Sequence, residues 1–211
     1  MYVEVRGGYT YNQLDQKFTS ATFKEVEATG SSYIAVMATY HIVERVLVKF
    51  GSEWVSKKYL LRRAQPFRDI YKKKDNNYLQ VPASIGLLLI STKKLRFVAG
   101  SGVFGGYWLS STTKGTIPNA FNTFNTIVDG DIIQNFWISE YSTRSTLNED
   151  DNVRIEAGIL FEATANYSIS PIWSLATNFS YQHALTSQRK RSPDIINRTL
   201  IASVGVMYKL R

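Results

Sequence analysis

His183, Thr186 and Ser187 are the residues of this chain best placed for covalent chemistry, a histidine base with hydroxyl nucleophiles three and four positions on. Such a base must reach both the nucleophile and an orienting acid. No nearby acid stands out, so no catalysis is expected and no catalytic residue is assigned. The other histidine, His41, reads as an interfacial or interior residue rather than a ligand. With two histidines and no cysteine in 211 residues, disulfides and thiolate metal sites are excluded and little is left for a zinc enzyme. Gly100-x-Gly102-x-x-Gly105 matches a dinucleotide fingerprint in letters only, because strand-like alternation continues through Tyr107 and Leu109 where the motif needs a helix. Asp129-Gly130-Asp131 lacks the ligand series of a calcium loop and reads as a turn. Neither a metal nor a cofactor is expected. Cations suited to phosphate remain: Arg62, Arg63, Arg68, Lys72, Lys73 and Lys74 in one segment, and Arg189, Lys190, Arg191 and Arg198 in another.

The elements that carry these groups read as strands. Leu200, Ala202, Val204, Val206, Tyr208 and Leu210 alternate with Ser203, Gly205, Lys209 and Arg211, a period of two. Ile172 to Ser187, Val153 to Ile169, Leu95 to Leu109 and Tyr78 to Ile90 repeat the design, and Val46 to Leu60, Ser32 to Val43 and Val3 to Tyr11 complete about eight strands with weaker patterns. No segment reads as a helix. A hydrophobic share of 44% and 13 tyrosines, beside a mean hydropathy of only −0.17, suit strands apolar on one face and polar on the other. The longest apolar run, Val81 to Ile90, contains Ser84 and Gly86 and is too short for a transmembrane helix of about 20 residues. A transmembrane strand needs only about 9 to 11.

Connections alternate in length. Breaks at Glu44-Arg45, Thr92-Lys93-Lys94 and Ser170-Pro171 are short, whereas the polar stretches near 12–31, 62–77, 110–152 and 188–198 are long. With up-and-down strands, all short turns fall at one end and all long loops at the other, the asymmetry of outer-membrane barrels. The expected fold is all-β: a single domain over 1–211 forming a closed antiparallel up-and-down transmembrane β-barrel of about eight strands. An even count returns both ends of the chain to the short-turn side.

Alternation alone leaves open whether the apolar face lines a soluble barrel's pocket or meets lipid. Gly86, Gly100, Gly102, Gly106, Gly158 and Gly205 lie on the polar face, where they suit a crowded interior better than a solvated strand. The same face carries Glu4, Arg6, Lys49, Glu53, Arg96, Arg154, Glu156, Glu162 and Lys209, both signs, able to pair in an enclosed lumen. Tyr167 and Trp173 near short turns, and Trp54, Tyr107 and Tyr181 toward long loops, resemble two interfacial girdles. Ser203-x-Gly205-x-x-Tyr208-x-Leu210 resembles the closing-strand signal read by the barrel-assembly machinery, although it ends in Leu-Arg instead of an aromatic residue.

Tyr78-Leu79-Gln80-Val81-Pro82, the glycine-rich strand Gly100 to Tyr107, Gly158, Tyr181 and the closing strand together resemble the PorT-like outer-membrane β-barrel proteins of Bacteroidetes, over most of Val46 to Arg211. The resemblance implies an eight-stranded outer-membrane barrel with its N-terminus in the periplasm; its motifs are structural, and many members have no assigned activity. The expected function is a structural or interaction role at the cell surface, in outer-membrane lipid, with the cationic segments touching lipopolysaccharide phosphates. Two alternatives stand beside it: a soluble lipocalin-like carrier of an apolar ligand, and a lipid A-modifying enzyme, for which the His-x-Ser spacing of deacylases is missing because Leu185 follows His183 by two. Met1 to Arg6 has no signal-peptide character, so a signal is expected to have been removed. The net charge of +8 suits anionic headgroups as well as nucleic acid; nucleic acid is not expected, since the expected topology puts the basic residues on a cell-surface rim.

Overall fold

The computed structural model describes residues 1–16, 24–63, 69–128, 131–145, 153–188 and 195–210. They form β1 (Tyr2–Gln16), β2 (Lys24–His41), β3 (Val46–Arg63), β4 (Tyr71–Ser91), β5 (Leu95–Val128), β6 (Asp131–Ser145), β7 (Ile155–Ser168), β8 (Trp173–Ala184) and β9 (Ile195–Lys209). Every pairing is antiparallel. Following the ladders from β1 through β2, β3, β4, β5, β7, β8 and β9 leads back to β1, where Tyr2 pairs with Lys209 and Gln16 with Ile195. Eight strands therefore close a ring without an edge, which satisfies the backbone groups of every ring strand internally.

β6 stands apart. It pairs with the distal half of β5, from Ser111↔Ser145 to Val128↔Asp131, and with no other strand among the described residues. β5 is long enough to serve both roles: its first half joins β4 and β7 in the ring, and its second half rises beyond the ring as a two-stranded ribbon.

The segments read as long loops are largely strand. β1 and β2 are paired as far as Asn12↔Thr29, β3 runs to Arg63, β4 begins at Tyr71, β5 and β6 fill most of 110–152, and β9 begins at Ile195. The physical reason is that a strand polar on both faces, as where Asn12, Asn76, Ser111, Thr113 and Asn197 turn inward, needs no apolar alternation. Its ladder bonds still form, so its polarity hides it from a periodicity argument.

Short turns at Ile42–Arg45, Thr92–Lys94 and Ile169–Ile172 lie at the same end as Met1 and Leu210, whose backbones are joined by Leu210 N–H donating to Met1 O at 3.0 Å. On the ring's outer surface Val5, Ile34, Val36, Val81, Ile85, Val103, Phe161, Phe179 and Val204 are all exposed. Inside, Tyr33, Ala35, Met37, Val55 and Ile201 form an apolar cluster level with the lumen charges, and Phe104, Leu160 and Ala184 form another. Glycines let the interior close: a Cβ at Gly158 would meet the Phe104 ring at 2.7 Å, and one at Gly102 would overlap the neighbouring backbone of Ala83 and Ser84. Gly158 sits where a strand and the barrel contents approach too closely for a side chain, and Gly102 where two strands do.

Candidate functional site

The lumen is built from the polar face that alternation isolates. Glu4, Arg6, Lys49, Glu53, Glu156 and Glu162 are all buried there, whereas Arg96 and Arg154 are half-buried and Lys209 is exposed at the short-turn mouth. Arg6 Nη2 donates to Glu53 Oε1 at 3.0 Å, its Nε donates to the Tyr33 hydroxyl at 2.9 Å, and that hydroxyl donates to Glu53 Oε1 at 2.6 Å. Gln182 donates to the other Glu53 oxygen at 3.2 Å. Lys49 sits 3.3 Å from Glu162 and donates to Thr164 at 2.7 Å, while Ser84 and Asn178 donate to Glu162 at 2.6 and 3.2 Å. Lys57 pairs with Glu156, which also accepts from Gln80 at 3.2 Å and Asn197 at 2.6 Å. The Lys57 ammonium lies 5.1 Å from the Tyr78 ring centroid and 5.3 Å from that of Phe104, a cation–π cradle.

Three ion pairs thus stack along the barrel, each held by neutral donors from strands across the lumen. A buried pair repays its desolvation only when further hydrogen bonds satisfy its remaining oxygens and protons, and these carboxylates have such partners. Glu4 differs: it is buried with neither carboxylate oxygen hydrogen-bonded. Lys57 was missed by the sequence reading although its parity with Lys49 and Glu53 placed it inward. Tyr33 was missed because β2 carries apolar residues on both faces.

Around His183 no catalytic geometry is assembled among the described residues. The Tyr181 hydroxyl lies 3.5 Å from His183 Nδ1, and Thr186 Oγ1 accepts a hydrogen bond from the Ala157 N–H at 3.0 Å. That hydroxyl caps a backbone donor, and His183 stands opposite Ile159 and Arg198 in the sheet rather than facing a carboxylate. His41 packs edge-on against Tyr2 at 5.7 Å, near the short turns. Gly100 and Gly102 face inward and β5 continues straight through them, with no helix to complete a nucleotide site.

Arg68, Arg189, Lys190 and Arg191 lie outside the described residues, as do Asp129 and Gly130. The remaining cations of the two segments are on strands, and they do not make one patch. Strand period splits consecutive residues between faces: Lys74 lies over the buried Trp108 ring at 4.9 Å, Lys72 follows the same parity, and Lys73 takes the opposite one. Arg62 sits 3.4 Å from Glu27, Arg198 donates to Asp15 at 2.6 Å, and Arg63, Lys72 and Lys73 are exposed. Asp75, a candidate to balance these lysines, instead pairs with Lys58 at 3.0 Å.

Aromatic side chains mark two levels on the outer wall. Toward the long hairpins, Trp54 and Tyr107 flank Leu79 in register, and Tyr11, Leu200, Tyr181 and Phe161 form a row. Near the short turns, Trp173 packs against Tyr208 with centroids 4.8 Å apart, and Tyr167 is exposed nearby. Tyr181 and Trp173 are eight residues apart on one strand, about 27 Å at about 3.4 Å per residue. Strand tilt shortens this toward the apolar band of about 25 Å in outer-membrane barrels.

No family model and no curated protein matches the chain. Among solved structures it is similar to the outer membrane protein OprG from Pseudomonas aeruginosa, with TM-score 0.55, 10% identity and coverage of 100% of this chain and 96% of that one. It is also similar to the outer membrane protease OmpT from Escherichia coli, with TM-score 0.52, 7% identity and coverage of 99% and 96%. The fold is that of outer-membrane barrels. At these identities the likeness extends to architecture alone.

In the closing strand, Ser203 and Gly205 face inward, and Tyr208 and Leu210 outward. Tyr208 pairs with Val3 and with Trp173, so the segment lies where the ring closes. Beyond the ring, the β5–β6 ribbon exposes Ile117, Phe121, Phe124, Ile127, Ile132, Phe136 and Trp137, with Phe121 fully open at 102%.

Proposed function

We propose that the protein is an integral outer-membrane barrel with a structural or interaction role at the cell surface and no catalytic activity of its own. The observation that carries this reading is the inversion of faces: the closed ring is apolar on its outer wall and charged within. A soluble lipocalin-like carrier needs the reverse, an apolar pocket and a wet exterior, and so is disfavoured. A lipid A-modifying enzyme would need an acid at His183, and the Tyr181 and Ala157 contacts do not supply one.

On this reading the short turns face the periplasm and the hairpins, with the apolar ribbon, face outward. The resemblance to PorT-like proteins supports the same orientation and a Bacteroidetes source. The segment Ser203, Gly205, Tyr208 and Leu210 acts as the assembly signal at the closing seam. Arg62, Arg63, Arg68, Lys72, Lys73, Lys74, Arg189, Lys190, Arg191 and Arg198 are candidates for lipopolysaccharide phosphate; Arg62, Lys74 and Arg198, already engaged with neighbours, are the weakest of them.

Unheated protein in SDS is expected to migrate differently from boiled protein, and the fold to require detergent or lipid. A well-folded monomer free of detergent would overturn the membrane reading. Neutralising Arg189, Lys190 and Arg191 together is expected to weaken retention of lipopolysaccharide, more at low ionic strength than at high. Unchanged retention at low ionic strength would reduce the rim to ordinary surface charge.

A further inference from the structure

At the short-turn mouth the lumen widens into a cavity of about 450 Å³, whose walls carry Lys93, Lys94, Arg96 and Lys209. Three come from one short segment, Lys93 and Lys94 in the turn between β4 and β5 and Arg96 at the start of β5, and the fourth is the last residue of β9. Among the described residues no carboxylate lines the cavity and none of the four cations has an ion-pair partner. Other described cations divide: in the lumen Arg6, Lys49 and Lys57 are paired, at the far end Arg62 and Arg198 stand against Glu27 and Asp15, and Arg63, Lys72 and Lys73 are exposed with no ion pair among the described residues but make no single patch. Like charges gathered in one concavity repel, and an arrangement that keeps them uncompensated favours an anion from solution.

The donors are set in place. Arg96 Nη1 donates to the Tyr2 hydroxyl at 3.2 Å, and its guanidinium lies 5.1 Å from the Tyr2 ring centroid, so the planar fork is held by one edge and one face. Ser170 Oγ accepts from the backbone N–H groups of Ile172 and Trp173 at 3.3 and 3.0 Å. Having accepted twice, that hydroxyl has its proton left to give. Tyr2 and Arg96 also line a smaller void above, with His41 and Lys49, and there Lys49 is already paired with Glu162, so the unpaired charge stays at the mouth.

We propose that this vestibule is an oxyanion-binding site for a phosphate-type group, with Arg96 as the fork that orients it and Lys93, Lys94 and Lys209 as the charges that draw it in. A multiply charged tetrahedral anion matches several converging cations and hydroxyl donors better than a single carboxylate does. The group can belong to a free phosphorylated solute or to a phospholipid headgroup, since both present the same oxygens. On the orientation proposed above the site faces the periplasm, but binding in detergent solution does not depend on that orientation.

The test uses the full chain in an uncharged detergent, titrated with inorganic phosphate at low ionic strength and followed by calorimetry and phosphorus NMR. The unmodified protein is expected to bind, and Lys93→Gln with Lys94→Gln to weaken binding by about tenfold or more. Both lysines are exposed turn residues, and unchanged heat-dependent mobility in SDS checks that the variant folds. Arg96→Lys, which keeps the charge and loses the fork, is expected to fall between the two. A variant neutralised at Arg189, Lys190 and Arg191 is expected to bind phosphate like the unmodified protein. Displacement of phosphate by added phosphatidylglycerol identifies the headgroup as a source, and no displacement points to a solute; either outcome supports the oxyanion site. Absence of binding, equal binding by the Lys93/Lys94 variant, or loss confined to the Arg189/Lys190/Arg191 variant would overturn it.

Discussion

Glu53→Ala is expected to destabilise the barrel by about 3–5 kcal/mol, the effect of stranding a buried charge after its partner is removed. Glu53 accepts from Arg6, Tyr33 and Gln182, so truncation leaves a guanidinium and a phenol in the lumen without their acceptor. The informative comparison is the double variant Arg6→Met with Glu53→Met, which removes both charges and fills similar space. Replacing a buried pair by packed apolar groups is often neutral or stabilising, and Tyr33, Ala35, Met37, Val55 and Ile201 offer an apolar cluster in the same region to pack against. The double variant is therefore expected to recover most of the loss. Urea unfolding in lipid vesicles reads both values. A Glu53→Ala cost below about 1 kcal/mol, or a double variant as unstable as the single one, would mean that water reaches these groups and that the lumen is not a closed, paired interior.

Such a network was only partly legible in the sequence. Period-two alternation placed Lys49, Glu53, Glu156 and Glu162 on one face, and the glycines on that face argued that it was enclosed. Which acid meets which base depends on strand stagger around the ring, because Lys57 and Glu156 are 99 positions apart and come from strands that are not neighbours. No local pattern encodes that. The distal half of β5 and all of β6 were hidden for a different reason: between Ser110 and Ser145 apolar and polar side chains do not alternate, so hydrophobic period carries no signal although the ladder runs on with one irregularity between Asn119 and Thr123. The cations of the vestibule were visible one by one, in Lys93-Lys94, Arg96 and Lys209. Their convergence follows from ring closure, which sets the end of β9 across one mouth of the barrel from the β4–β5 turn. By the same token Lys72, Lys73 and Lys74 looked like a cluster in sequence, and alternation disperses them.

Arginine at Val204 is expected to cost about 2–4 kcal/mol, the range for a cation on the lipid face near the bilayer midplane. Val204 is 65% exposed and pairs with Gly7 and Thr177, between the aromatic levels marked by Tyr208 and Leu200 on the same strand. Ile159, outward on β7 and opposite Val103 and His183, lies nearer the long-hairpin level. Because the penalty falls toward about 0–1 kcal/mol at the interfaces, Ile159→Arg is expected to cost less than Val204→Arg. An exposed site in water would tolerate either change within about 0.5 kcal/mol, so the size of the effect reports what surrounds the wall and its gradient reports depth. The control is Ser203→Ala, one residue from Val204 but inward, where the hydroxyl has no hydrogen-bond partner to lose. It is expected to be close to neutral. Equal, small effects of Val204→Arg and Ser203→Ala in vesicle unfolding would place water on the outer wall and remove the basis for a lipid-facing exterior.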